Sequence, residues 1–152
     1  MENYFIPTNL KVMGLVVKNF PDGIGEAFHS LMNTIPGEFS RPYYGIAECI
    51  EGKMIYKAAA LEKEEGEAEK LQLERYFIPK GVYLAEKVSD WRSKTECIKD
   101  VFGEMYKDER ADHNQPSIEV YQNEKDMLCL VKVKEAITDY VLNEDTATLF
   151  EN

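Results

Sequence analysis

Glu119 and Tyr121 are the two side chains of this sequence whose type and spacing best suit shared chemistry. They lie in the strand-like run 117–122, where alternation puts both on one face and Ile118 and Val120 on the other. If the aliphatic pair faces a helix, the carboxylate and the phenol face a cleft. A partly desolvated carboxylate there would attract a cation, and a nearby Tyr or Trp ring would add about 0.5–2 kcal/mol of cation–π attraction. The alternative is a solvated glutamate on an open sheet face.

Four further side chains are candidates for the same cleft. Trp91 is the only tryptophan and stands in a polar stretch between a predicted strand and a predicted helix, where a purely packing role is less obvious. Tyr83 and Tyr44 lie in predicted strands and either line the cleft or fill the core. Glu48 is four residues after Tyr44 in the same predicted strand, so both side chains lie on one face of it. The sequence leaves open whether Glu48 or Glu119 faces the cleft.

Catalytic and metal-binding chemistry has a weaker basis. Glu119 could orient or deprotonate a water if the protein is a hydrolase, and no other catalytic residue is assigned. The three cysteines, Cys49, Cys97 and Cys129, are widely spaced and form neither a Cys-x-x-Cys pair nor a Cys/His cluster. The sequence therefore predicts no metal, no cofactor, and reduced, mostly buried thiols.

An internal repeat organises the elements that must position these side chains. Tyr4-Phe5-Ile6-Pro7 recurs 72 residues later as Tyr76-Phe77-Ile78-Pro79. Each copy leads into a strand-like run and then into an amphipathic helix. The apolar helix faces have the spacing of a 3.6-residue period and consist of Ile24, Phe28, Leu31, Met32 and Ile35 in the first helix and Ile98, Val101, Phe102 and Met105 in the second.

A predicted hairpin follows each helix, over 43–61 in the first repeat and 117–133 in the second. Gly37 is placed to end the first helix, and Ser93 and Glu96 have the spacing of a capping box before the second. These patterns predict an α+β fold of duplicated βαββ units with pseudo-twofold symmetry. Two helices would pack on antiparallel sheets, with a central ligand cleft between the repeats.

The domain prediction follows from the repeat. Residues 1–135 form one domain, with repeat 1 at about 1–62, an acidic linker at 62–70 and repeat 2 at about 71–135. Residues 136–152 form an acidic C-terminal tail. Two copies of about 72 residues leave no room for a DNA-reading domain.

Charge excludes some classes of partner. The 152 residues include 18 Lys and Arg against 28 Asp and Glu, a net charge of −10, which argues against direct binding of nucleic acid or of anionic membranes. Much of the acidity lies in the linker and the tail, which we interpret as solvated segments. An acidic protein-interaction or inhibitor module with a protein partner is one candidate function. The N-terminus has no secretory signal pattern and no run spans a bilayer, so we expect a cytoplasmic protein.

Two motifs carry a family resemblance: Ile78-Pro79-Lys80-Gly81-Val82-Tyr83 with the helix after it, and Pro116-Ser117-Ile118-Glu119-Val120-Tyr121 followed by an apolar strand. With them the chain resembles the GyrI-like small-molecule-binding family, which is also the effector-binding domain of multidrug-responsive transcription activators. The resemblance covers roughly residues 1–135 and is to stand-alone members. It implies a pocket in which aromatic rings and a buried carboxylate bind bulky, often cationic aromatic compounds.

The resemblance also implies an alternative function. Some GyrI-like proteins hydrolyse cyclopropanoid alkylating natural products, and Glu119 would act on water beside Tyr121 or Trp91 in such a site. We favour multidrug-type small-molecule binding, because the sequence predicts a pocket but no nucleophile, metal set or activated base.

Overall fold

The computed structural model describes residues 1–37 and 40–135. In this part of the chain eight strands form one antiparallel sheet, which is curled into a half-barrel, and three α-helices join them. In chain order the elements are β1 (Glu2–Ile6), β2 (Leu10–Val16), α1 (Ile24–Thr34), β3 (Tyr43–Ile50), β4 (Lys53–Leu61), α2 (Glu67–Lys70), β5 (Glu74–Ile78), β6 (Gly81–Ser89), α3 (Ile98–Met105), β7 (Ser117–Tyr121) and β8 (Asp126–Lys132).

The sheet order is β1-β6-β8-β7-β3-β4-β2-β5, so β3 and β7 are neighbours at its centre. On one side of this centre lie β3, β4 and β2, and on the other lie β7, β8 and β6. The two edge strands are exchanged between the halves, since β1 pairs with β6 and β5 pairs with β2. The predicted α+β class is confirmed. The Tyr-Phe-Ile-Pro segments themselves form most of β1 and β5, so each half reads strand, strand, helix, strand, strand, with one strand more than predicted. The duplication stays a prediction.

The two faces of the sheet carry different cores. On one face, side chains such as Val12, Tyr44 and Ile118 pack against one another without a helix, because the curled sheet closes over them. On the other face, Leu31 of α1 packs with Met13 and other buried side chains, and α3 packs separately with residues of β6 and β8. The helices therefore cover the same face side by side, and the candidate site lies on that face.

Two predicted helix boundaries are wrong. The helix α1 ends at Thr34, before Gly37, because Ile35 already has extended backbone angles. The predicted capping box does not form, since Ser93 Oγ donates to Asp90 within a short 3-10 turn at Trp91–Ser93. A second 3-10 turn follows, and α3 begins only at Ile98, without a side-chain cap.

The predicted acidic linker is only partly solvated, because some of its residues pack against the domain while others are exposed. It contains α2, whose Ala68 is buried. The Arg75 guanidinium donates to both carboxylate oxygens of Glu62, each at 2.7 Å, and Arg41 donates to Glu67 at 2.8 Å. These ion pairs neutralise part of the charge run. The predicted tail, 136–152, lies outside the described residues.

Within residues 1–37 and 40–135, none of the helices is long and apolar enough to cross a bilayer.

Candidate functional site

A cavity of about 570 Å³ lies on the helix-covered face, between α1 and α3. Its floor is the centre of the sheet, where Glu119 of β7 points upward, and its sides include Ile24 of α1 and Phe102 of α3. We call this cavity the charged chamber. The expectation that Ile118 and Val120 face a helix is wrong, because both pack in the helix-free core on the opposite face. Because side chains alternate along a strand, Glu119 lies on the opposite, helix-covered face, and the cleft on that face lies between the two helices.

Two phenols hold the Glu119 carboxylate. Tyr56 of β4 donates a hydrogen bond of 2.6 Å to Oε1, and Tyr121 donates one of 2.7 Å to the same oxygen. Oε2 receives no hydrogen bond from the described residues. The carboxylate is therefore oriented by one oxygen and keeps the other available for a ligand.

Gly45 provides the space for this arrangement. It lies in β3 directly opposite Glu119 in the register of β3 with β7. A Cβ added to Gly45 would overlap the Tyr56 hydroxyl and Oε1 of Glu119, and would lie 2.7 Å from Cζ of Tyr56. The hydrogen bond from Tyr56 to Glu119 can therefore cross β3 only because position 45 has no side chain.

Burial dominates the electrostatics of the chamber. It raises the pKa of Glu119, although the hydrogen bonds from Tyr56 and Tyr121 act in the opposite direction. Burial and the nearby Glu119 charge raise the pKa of both phenols, so both stay protonated donors. Among the described residues, no basic side chain forms an ion pair with Glu119. When ionised, Glu119 is thus a partly desolvated anion without an ion-pair partner among these residues, a state that a bound cation would stabilise.

The thiol of Cys129 is buried on the helix-covered face and does not line either cavity. Cys129 of β8 lies opposite Glu119 in the strand register, and burial raises its pKa to about 12. A thiol with this pKa stays protonated at neutral pH. Cys49 and Cys97 are exposed, contrary to the prediction of mostly buried thiols, and all three are unbridged.

Aromatic rings surround the phenols. Phe20 stacks on Tyr56 with ring centres 5.2 Å apart, and Phe28 and Trp91 meet Tyr121 edge to face at 5.5 and 4.8 Å. Edge-to-face and stacked pairs fix ring orientations and present flat apolar surface. The site therefore combines one carboxylate with several immobilised rings.

A second cavity of about 380 Å³ adjoins the first, and we call it the neutral chamber. Phe28, Met32 and Trp91 are among the side chains that line it, together with the imidazole of His29, and its described lining contains no Asp, Glu, Lys or Arg. Ile24, Thr95 and Tyr121 line both chambers. The charged chamber also has Lys99 in its wall.

Three of the six predicted site residues come together, and three do not. Glu119, Tyr121 and Trp91 line the two chambers. Tyr44 and Tyr83 are buried in the helix-free core on the opposite face, where the Tyr83 hydroxyl donates to the carbonyl of Pro79 at 2.6 Å.

Glu48 lies on the same strand face as Tyr44, and its carboxylate accepts a hydrogen bond of 3.2 Å from Nζ of Lys57. It does not line either chamber. Between the two carboxylates that the sequence left open, the structure therefore puts Glu119 in the cleft.

The most informative residue that sequence reasoning missed is Tyr56. It faces the same side as Ala58 and Ala60, and its strand gives no sign of a polar partner. It reaches Glu119 only because β4 pairs with β3 and β3 pairs with β7. Phe20, Phe28 and Phe102 also line the chambers, and only tertiary structure brings them there.

Metal chemistry has no basis in the described residues, because residues 1–37 and 40–135 contain no group of three His, Cys, Asp or Glu side chains able to hold an ion. What the chambers offer instead is one carboxylate oxygen within apolar and aromatic walls. An organic cation suits such a site better than a hydrated ion does.

Comparison with known proteins gives a fold but no family. No protein-family model matches the chain, and no curated protein matches it significantly. An integron cassette protein from the mobile metagenome of Vibrio cholerae superposes with a TM-score of 0.63 at 13% identity, over 88% of this chain and 95% of that protein.

Two further solved structures share the fold. The protein SAV2435, solved with bound tetraphenylphosphonium, has a TM-score of 0.62 at 14% identity over 88% of this chain and 94% of its own. A protein of Staphylococcus aureus MU50 assigned to bacterial transcription regulation has a TM-score of 0.58 at 15% identity, over 89% and 99%. These likenesses are consistent with a GyrI-like fold.

Proposed function

We propose that this protein binds a bulky hydrophobic cation with aromatic groups in the cleft between α1 and α3, with Glu119 as the counter-charge. The observation that carries the proposal is the partly buried carboxylate, which has two phenol donors on one oxygen and no ion-pair partner among the described residues. Desolvating a carboxylate is unfavourable, and groups in such an environment are frequent at binding and catalytic sites.

The structural neighbours support the ligand class. SAV2435 has been solved with tetraphenylphosphonium, a cation of four phenyl groups. A second neighbour is assigned to transcription regulation, which favours a sensing or sequestering role. We also propose that the two halves of the chain are a duplication and that the site uses both, since Tyr56 belongs to the first and Glu119 to the second.

Tryptophan fluorescence tests the proposal directly. Trp91 is the sole tryptophan and lines the neutral chamber, so a ligand in the cleft should change its emission. We expect saturable quenching by tetraphenylphosphonium and a loss of affinity of at least about tenfold in Glu119→Gln, which removes the charge and keeps the shape. Equal affinity in Glu119→Gln would exclude Glu119 from binding.

The matched control is Glu48→Gln, which removes one negative charge from the other face of the sheet. Because Glu48 lies outside both chambers, we expect wild-type affinity for tetraphenylphosphonium. A comparable loss in both variants would point to a general effect of net charge rather than to a site at Glu119.

Hydrolysis is the second candidate, and the raised pKa of Glu119 favours it, because a carboxyl with a raised pKa in a cavity can act as a general acid or base. It predicts turnover of a cyclopropanoid substrate that disappears in Glu119→Gln. Binding of such a compound without product formation at high protein concentration would leave binding as the function.

The acidic interaction module is less well supported. Glu62 and Glu67 of the linker are engaged by Arg75 and Arg41, so these two carboxylates are already neutralised within the protein. Only a complex whose affinity falls steeply with salt would restore that function.

A further inference from the structure

The two chambers meet at a single aromatic residue, Tyr121. Its hydroxyl donates to Glu119 in the charged chamber, while its ring contacts Phe28 and Trp91, which line the neutral chamber. Ile24 and Thr95 complete the shared boundary. The two spaces therefore lie on either side of one wall, which these three residues form.

The chambers differ in the chemistry they accept. A cation in the charged chamber would face the ionised Glu119. A charge in the neutral chamber would be desolvated without an opposite charge in the described lining, which is unfavourable. A flat ring in the neutral chamber would gain edge-to-face contacts with Phe28 and Trp91 and a sulfur–aromatic contact with Met32.

We propose that the neutral chamber binds the uncharged aromatic arm of the same ligand whose cationic head lies beside Glu119. The inference rests on the proposed function and adds the ligand class, a monocation with one extended, uncharged aromatic arm. Volumes of about 570 and 380 Å³ are each sufficient for part of a drug-sized molecule.

Matched probes test the ligand class by calorimetry at one pH. Methyltriphenylphosphonium supplies the head alone, and 4-phenylbenzyl-triphenylphosphonium supplies the same head with a neutral arm. We expect the arm to raise affinity by at least about tenfold, since it buries two rings. A third probe, with a trimethylammonium group at the end of the arm, should lose that gain.

A filling variant locates the arm. Gly25 of α1 lines the neutral chamber, and a Cβ there meets no heavy atom within 4 Å, so a leucine side chain can project into the space. Leucine also favours a helix more than glycine does, which protects folding. In Gly25→Leu we expect the gain from the arm to fall below about twofold, with methyltriphenylphosphonium affinity within about twofold of wild type.

Gly103→Leu is the matched control. Gly103 lies in α3, is equally open to an added Cβ, and lines neither chamber. Both probes should bind this variant as they bind wild type. If the arm still raises affinity in Gly103→Leu but no longer does so in Gly25→Leu, the arm binds in the neutral chamber.

The outcomes separate this inference from the proposed function. Equal affinity of wild type for the armed and armless probes, or equal losses for both in Gly25→Leu, overturns the two-chamber inference and leaves cation binding intact. Failure of wild type to bind any of the three probes, or unchanged binding in Glu119→Gln, overturns the proposed function and this inference with it.

Discussion

The Tyr56 hydroxyl donates a 2.6 Å hydrogen bond to Oε1 of Glu119, although the two residues are 63 positions apart in the sequence. The bond crosses the intervening strand β3 above Gly45. A partly buried carboxylate is thus held by a donor from the other half of the chain. Four expected outcomes follow from this relationship and from the ion pairs elsewhere.

Adding one methyl group at Gly45 should disturb the site. In Gly45→Ala the new Cβ would overlap the Tyr56 hydroxyl and Glu119 Oε1, so the hydrogen bond must break or the strands must shift. We expect a loss of about 1–3 kcal/mol in the free energy of unfolding, measured by urea denaturation, and weaker binding of tetraphenylphosphonium. The control is Gly25→Ala, where a Cβ is in open space and stability should stay equal or rise by up to about 1 kcal/mol. Equal stability of both variants would contradict the crowding at Gly45.

Cation binding should weaken as the pH falls. Burial raises the pKa of Glu119 above its ordinary value of 4.5, and only the ionised carboxylate attracts a cation. Below the raised pKa, the affinity for tetraphenylphosphonium should fall by about tenfold per pH unit. Calorimetric titration across pH 4.5–8 measures this slope. Glu119→Gln should show a flat profile, and an equally flat wild-type profile would mean that Glu119 does not titrate with binding.

Tyr56→Phe should shift that pH profile rather than simply reduce binding. The Tyr56 hydroxyl stabilises the ionised form of Glu119, so its removal should raise the Glu119 pKa further. A hydrogen bond to a charged group contributes about 1.5–3 kcal/mol, which corresponds to an upward shift of about 1–2 pH units in the half-loss of binding.

Tyr83→Phe is the control for the loss of a hydroxyl. It also removes a hydrogen bond, to the carbonyl of Pro79, but in the core outside the chambers. It should lower stability by about 1 kcal/mol and leave the pH profile of binding unchanged. An identical profile for Tyr56→Phe and wild type would show that Tyr56 does not tune the carboxylate.

The ion pair between Glu62 and Arg75 should make stability sensitive to acid. The Arg75 guanidinium lowers the pKa of Glu62 to about 2 from 4.5, so its stabilising contribution is full above pH 4.5 and is lost as the pH falls toward 2. In Glu62→Gln we expect a loss of about 2 kcal/mol at pH 7, with the difference from wild type shrinking between pH 4.5 and 2. Denaturant unfolding at several pH values measures it. Glu65→Gln, at an exposed position, should stay within about 0.5 kcal/mol, and a pH-independent deficit in Glu62→Gln would exclude the ion pair as its cause.

The sequence predicted individual elements better than their connections. Apolar spacing indicated α1 and α3, and alternation put Glu119 and Tyr121 on one face, as the structure has them. The capping box at Ser93 and Glu96 was wrong, since a local spacing does not decide whether the chain is already helical there. The short strands β1 and β5 were not predicted as strands, because five residues carry little periodicity.

By itself the sequence determined the α+β class, the candidate carboxylate and its tyrosine neighbour, because helix and strand periods depend on residues close together in the chain. Only the tertiary structure decided that Tyr56 meets Glu119 above Gly45 and that Tyr44, Tyr83 and Glu48 lie on the other face. The physical reason is strand register. Pairing of β4 with β3 and of β3 with β7 joins residues far apart in sequence, and a shift by one residue would exchange the two faces of a strand.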